Sequence, residues 1–190
     1  MTMPGEYKVR AFIFTVALLS SCSVFANVTL KPINVRPYEK TIYDAASQYH
    51  IENGSPVDKQ AFSVNSDGKH LGDFIAGQGF NAQDDAVCFI AWSDGNGKIQ
   101  RIVPTIGFDN WEAETCAGTK AVGVLADDDK GSTKLAVIYS AQSPNAIATE
   151  SVILSLDKST GVLSLDDSLT KKIGSQGAET LNTLKALYRK

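Results

Sequence analysis

From residue 86 onward the chain alternates apolar runs of strand length with polar turns too short to hold a helix, and that alternation limits the fold more than any other feature. The runs cover residues 86–92 (AVCFIAW), 98–106, 121–126, 135–141, 151–156 and 162–165. Between them stand DGNG at 94–97, DDDKGS at 127–132, SPN at 143–145 and DKSTG at 157–161, compositions in which Gly, Asn and Asp accept turn backbone. Parallel neighbours need a crossover of about a dozen residues, so these strands are expected to pair antiparallel as hairpins.

Helical periodicity is confined to the two ends of this β region. After a short strand at 28–33, limited to an edge by Pro32, Pro37 takes a first helical position. Tyr38, Ile42, Ala45, Ala46 and Tyr49 then recur at helical spacing, up to the break at Asn53-Gly54. That face reads as core packing. At the other end Leu169 and Ile173 mark a short helical piece, and Leu181, Leu184, Leu187 and Tyr188 make the stripe of a last helix. AFSVN at 61–65 reads as another strand, and the glycine-rich passage 68–80 as a connection. The expected fold is therefore α+β: an antiparallel β-meander sheet with an N-terminal amphipathic helix and a C-terminal helix, the helices covering one sheet face.

The first 26 residues stand outside that fold. Residues 1–10 carry Lys8 and Arg10 against Glu6, and residues 11–19 (AFIFTVALL) are an uncharged apolar run, too short to span a bilayer, which takes about 20. A positive flank, a short apolar core and a small-residue exit make a secretory signal peptide. Val24-Phe25-Ala26 predicts cleavage after Ala26. Leu19-Ser20-Ser21-Cys22 resembles the bacterial lipobox, which would instead make Cys22 a lipidated first residue and the protein membrane-anchored. The apolar SVFA that follows is unlike a lipoprotein tether, so cleavage after Ala26 is preferred. Residues 27–190 then form a single domain, periplasmic or secreted.

Export sorts the cysteines. With Cys22 assigned to the leader or the lipid, Cys88 and Cys116 remain as an even pair, expected to be a disulfide in an oxidising compartment. Setting Lys8, Arg10 and Glu6 aside from the 18 basic and 21 acidic residues leaves a net charge of −4. No basic cluster offers itself to a phosphate backbone, so nucleic acid is not an expected partner. With no CxxC and only His50 and His70 as soft ligands, no metal or other cofactor is expected.

Motif by motif, the chemistry is sparse. DGNGKI imitates the middle of a calcium loop, but Trp92 and Val103 stand where an oxygen ligand and the bidentate Glu belong, so a hairpin turn explains it better. Asp127, Asp128 and Asp129 read as a solvated turn. GQGFNA at 77–82 has dinucleotide-loop spacing without the helix that should follow. His50, at the end of the first helix, complements its dipole. His70 and Asp73, a His–carboxylate pair in a glycine-rich passage that could line a cleft, are the only catalytic candidates. Asp109, Trp111, Glu112 and Glu114, beside Cys116, make a staple-anchored loop read as a binding tip. The preferred function is thus an exported bacterial envelope protein that acts by binding a protein partner, as an inhibitor or immunity-type protein against a toxin or wall-active enzyme. The alternatives are a small periplasmic hydrolase using His70 and Asp73, and a lipid-anchored structural component of the envelope.

Overall fold

The computed structural model describes residues 28–128 and 131–190, so the leader with Cys22 and Ala26, and Asp129 of the acidic turn, lie outside the described residues. The apolar runs become strands, and each polar turn between them becomes a hairpin. In order these are β1 (Val28–Pro32), α1 (Glu39–Ser47, preceded by a single 3-10 turn at Arg36–Tyr38), β2 (Glu52–Ser66), β3 (Lys69–Phe80), β4 (Ala86–Ser93), β5 (Ile99–Pro104), β6 (Thr115–Asp127), β7 (Ser132–Ser143), β8 (Ala146–Asp157), β9 (Leu163–Leu165), α2 (Asp167–Ile173) and α3 (Leu181–Tyr188). All ladders are antiparallel.

The α+β class is as expected, but the strands form two sheets instead of one, a five-stranded meander β1-β2-β3-β4-β5 and a four-stranded meander β6-β7-β8-β9. The break falls at residues 105–114, the one connection in the β region long enough to leave a sheet. Each sheet presents an apolar face to the other, so Val64, Phe74, Ile90 and Trp92 meet Leu135, Val137, Tyr139, Val152 and Leu154 in a shared core. The helices cover both outer faces, not one. Tyr38, Ile42 and Ala46 pack on Ile75, Phe89 and Ala91 of the first sheet, while Ile173 and Leu184 pack on Ala136, Ile138 and Ile153 of the second. A strand covered on both sides cannot alternate, and this is why AVCFIAW reads as a continuous apolar run.

The glycine-rich passage 68–80 is a correction to the sequence reading, for it is strand β3. Asp67 and Gly68 hold φ of 50° and 78° in a two-residue hairpin with β2. Farther along, a Cβ at Gly77 would lie 2.2 Å from the Phe89 ring, so the glycine is the space that lets that ring lie flat on the neighbouring strand. The strand also carries a bulge. Val64 faces Gly72 but Asn65 faces His70, which leaves Leu71 as an extra residue.

Two sheets that share no ladder are joined covalently. Cys88 of β4 and Cys116 of β6 form a disulfide with their Cα atoms 5.7 Å apart, as expected. From that bridge β6 runs across the first sheet to β1, where the Val28 amide donates to Asp127 Oδ2 at 3.2 Å. Lys158 Nζ and Thr133 Oγ1 reach the other oxygen of Asp127, at 2.9 and 2.5 Å. At the centre, the fully buried Thr105 donates to the Cys88 carbonyl at 2.8 Å and lies 3.2 Å from the Tyr139 hydroxyl. No helix among the described residues is long and apolar enough to cross a membrane.

The disulfide closes a loop of 28 residues, for which chain entropy gives about 3.6 kcal/mol. Replacing both cysteines by Ala is expected to lower the unfolding free energy by about that amount, read from denaturant unfolding, with a higher m-value because the uncross-linked chain exposes more surface.

Candidate functional site

The bulge at Leu71 decides the geometry of the expected His–Asp pair. Residues three apart on a regular strand point to opposite faces, but one extra residue returns His70 to the face that carries Asp73. His70 Nε2 lies 2.9 Å from Asp73 Oδ1. Asp73 is 5% exposed, and its second oxygen accepts from the Tyr38 hydroxyl at 2.5 Å. Burial, together with the Asp73 carboxylate that holds its proton, pushes the Tyr38 phenol up to about 12. The imidazole in turn lies over the DGNG turn, where a Cβ at Gly95 would fall 2.2 Å from its ring.

An oriented carboxylate–imidazole pair is one part of a general base. Asp73, however, is shared with Tyr38 of the 3-10 turn, and Ser93, its ladder neighbour, is fully buried with its Oγ accepting from the Gly95 amide at 3.1 Å. What this network does visibly is tie the first helical segment to sheet one. The DGNG turn is filled by its own hydrogen bonds, Asp94 accepting from the Asn96 amide at 3.0 Å and from Gln100 Nε2 at 2.9 Å. Those bonds hold the Asp94 carboxyl below its ordinary range.

The other expected site lies in the crossover between the sheets. A 3-10 turn at Asp109–Trp111 carries it, with Asp109 in the left-handed region at φ 48°. Trp111 does not stand on the surface. Its side chain is 7% exposed and belongs to the inter-sheet core, because a large apolar ring beside the disulfide gains more from filling that core than a loop tip can offer. The exposed aromatic tip is thereby corrected to a buried anchor.

Asp109 and Glu112 do reach solvent, and they line an open cleft of about 610 Å³ with His50, Asn81, Gln83 and Phe108. His50 and Ala82 also border a neighbouring cleft flanked by Tyr43 and Glu52. Tyr43 and Tyr49 are 52% and 42% exposed, so Tyr49 leaves the packing face that its spacing assigned to it. Glu112 and Glu114 share a further cleft with Asp85. Glu114 is half-buried and its Oε2 has no hydrogen-bond partner. Burial, and then the charge of Glu150, raise its carboxyl above the ordinary glutamate value. Glu150 itself is buried and accepts from Ser175 Oγ at 2.7 Å.

These acids stand without a positive counterpart in sequence. No Lys or Arg occurs in segments 41–58, 70–97, 102–119 or 135–157, from which all residues lining these three clefts come. Asp84 and Asp85, exposed in the β3–β4 turn, extend the acidic surface. Net charge alone concealed it, for the lysines of the chain lie elsewhere. Among the described residues no group of three or more His, Cys, Asp or Glu is placed to hold a metal ion. No family model, curated protein or solved structure matches this chain.

Tyr38→Phe removes the bond that Asp73 accepts in a buried site, and is expected to cost about 1–3 kcal/mol, measured by thermal or denaturant unfolding. Glu114 gives a pH dependence of definite sign. Its carboxyl binds a proton more tightly folded than unfolded, so its own contribution to stability is greatest below the ordinary glutamate value of 4.5 and falls as pH rises from there to the raised value. Glu114→Gln is therefore expected to raise the Tm at pH 7 and to leave it little changed below pH ~4.

Proposed function

We propose that this protein is an exported binder that covers a basic surface of a protein partner with its disulfide-pinned acidic end. The observation that carries the reading is the cleft lined by Asp109 and Glu112 against the β3–β4 turn, where Asp84 and Asp85 stand exposed, all in segments that lack Lys and Arg. Such a field raises the encounter rate with a cationic partner and suppresses acidic ones. Tyr43 and Tyr49 add exposed aromatic area beside the cleft, the residue type that most often anchors an interface. The loop is preorganised by the buried Trp111 and the neighbouring Cys88–Cys116 bridge, which reduces the entropy lost on docking.

The disulfide suits an oxidising compartment, the periplasm or the cell exterior, in keeping with the leader. An inhibitor or immunity-type protein directed at a cationic toxin or wall-active enzyme is the specific role this supports. A small hydrolase built on His70 and Asp73 is the second reading, favoured by the 2.9 Å pair, and His70→Ala separates the two. Loss of a hydrolytic activity with folding intact favours the hydrolase, and an unchanged phenotype favours the binder.

The binder is tested by photo-cross-linking in envelope extract from positions 83 and 113, followed by identification of the product. A cationic protein, lost when Asp85, Asp109 and Glu112 are all changed to Lys and weakened steeply between about 50 and 200 mM salt, is the expected result. Equal capture by the triple variant would remove the reading.

A further inference from the structure

The end of the sandwich away from the acidic cleft holds a second depression of different chemistry. Between β5 and the β8–β9 turn lies a groove of about 460 Å³, within the about 300–1,000 Å³ usual for small-molecule sites. Half-buried Leu71 and Val162, 52% exposed, give its apolar surface, with Trp92 and Leu163 buried as the floor beneath them. Leu71 is there because of the bulge, which turns it to the same inner face as Trp92.

The walls are fixed before any ligand arrives. Trp92 Nε1 donates to the Gly161 carbonyl at 2.9 Å. The turn that follows β8 is wound around Asp157, whose carboxylate accepts from the Ser159 and Thr160 amides at 2.8 and 2.9 Å.

One cation faces this groove. Arg101 is the ladder partner of Trp92, so its side chain leaves the strand on the same inner face. It is exposed, and it has no ion pair or hydrogen bond from its guanidinium to any described residue. Asp94, on the same rim, is already engaged by the Asn96 amide and Gln100 Nε2. A guanidinium presents a planar fork that matches a carboxylate, and a rim carboxylate nearby disfavours a dianion such as phosphate.

We propose that the groove binds a small amphiphilic monocarboxylate, its apolar chain over Leu71 and Val162 above the buried Trp92 and Leu163, and its head on Arg101. Exposed apolar area beside an unpaired cation is the arrangement such a ligand completes. Neither half would hold it as tightly alone.

Octanoate is the probe, with octanol as the same chain lacking the charge and acetate as the charge lacking the chain. Occupancy is read by calorimetric titration and by the emission of Trp92, which lies beneath the groove, the other tryptophan, Trp111, being at the opposite end. The expected result is a saturable change in tryptophan emission with octanoate, about tenfold weaker binding of octanol, and none of acetate. Arg101→Gln and Val162→Asp, both at exposed positions, should each weaken octanoate about tenfold at unchanged Tm. No saturable change with octanoate, octanol as tight as octanoate, or unaltered binding by Arg101→Gln would each overturn the proposal.

Discussion

The two sheets exchange no backbone hydrogen bonds, so the fold stands on what passes between their apolar faces. That contact is an interior of aliphatic and aromatic side chains with Thr105 and Tyr139 hydrogen-bonded at its centre. Burial of this kind has no direction of its own, and sheets held only by it could slide. The bridge between Cys88 and Cys116 at one end of β6, and the ties around Asp127 at the other, supply the missing register. β6 is thereby pinned across the first sheet at both of its ends.

Surface chemistry divides along the same axis. The stapled end gathers carboxylates on short turns whose backbones are held rigid, and the opposite end leaves an apolar groove beside one unpaired guanidinium. Charge has been sorted by position within the strands. Lysines such as Lys134 and Lys158 are paired with Asp166 and Asp127 inside the fold, where they neutralise carboxylates that secure turns and the start of α2. The acids of the crossover have no such partners, and Glu114 goes so far as to bury an oxygen without one. An unpaired buried acceptor costs stability, a cost consistent with a surface selected for something other than its own folding.

The His70–Asp73 pair illustrates how little spacing says by itself. On a regular strand the two side chains would never meet, and only the extra residue at Leu71 brings them to 2.9 Å. The same bulge sends Leu71 inward to form part of the groove. A single local irregularity thus shapes both the pair and the groove, and nothing in the string KHLGD marks where it falls. Its Asp67-Gly68 neighbour was a strong hairpin signal. It was obscured by the glycines that follow, which serve aromatic packing and not a loop.

By itself the sequence determined what local chemistry decides: the hairpins at DGNG, DDDKGS, SPN and DKSTG, the helical ends, the α+β class and the pairing of two cysteines. Turn backbone and side-chain period are properties of a few consecutive residues, so they are legible there. Tertiary structure decided the rest, because it depends on neighbours distant in the chain. Whether a hairpin extends one sheet or joins a second is invisible in its length, and the second sheet is what gave the helices two faces to cover. Trp111 was drawn inward for the same reason: the space it fills exists only once β4 and β6 have met.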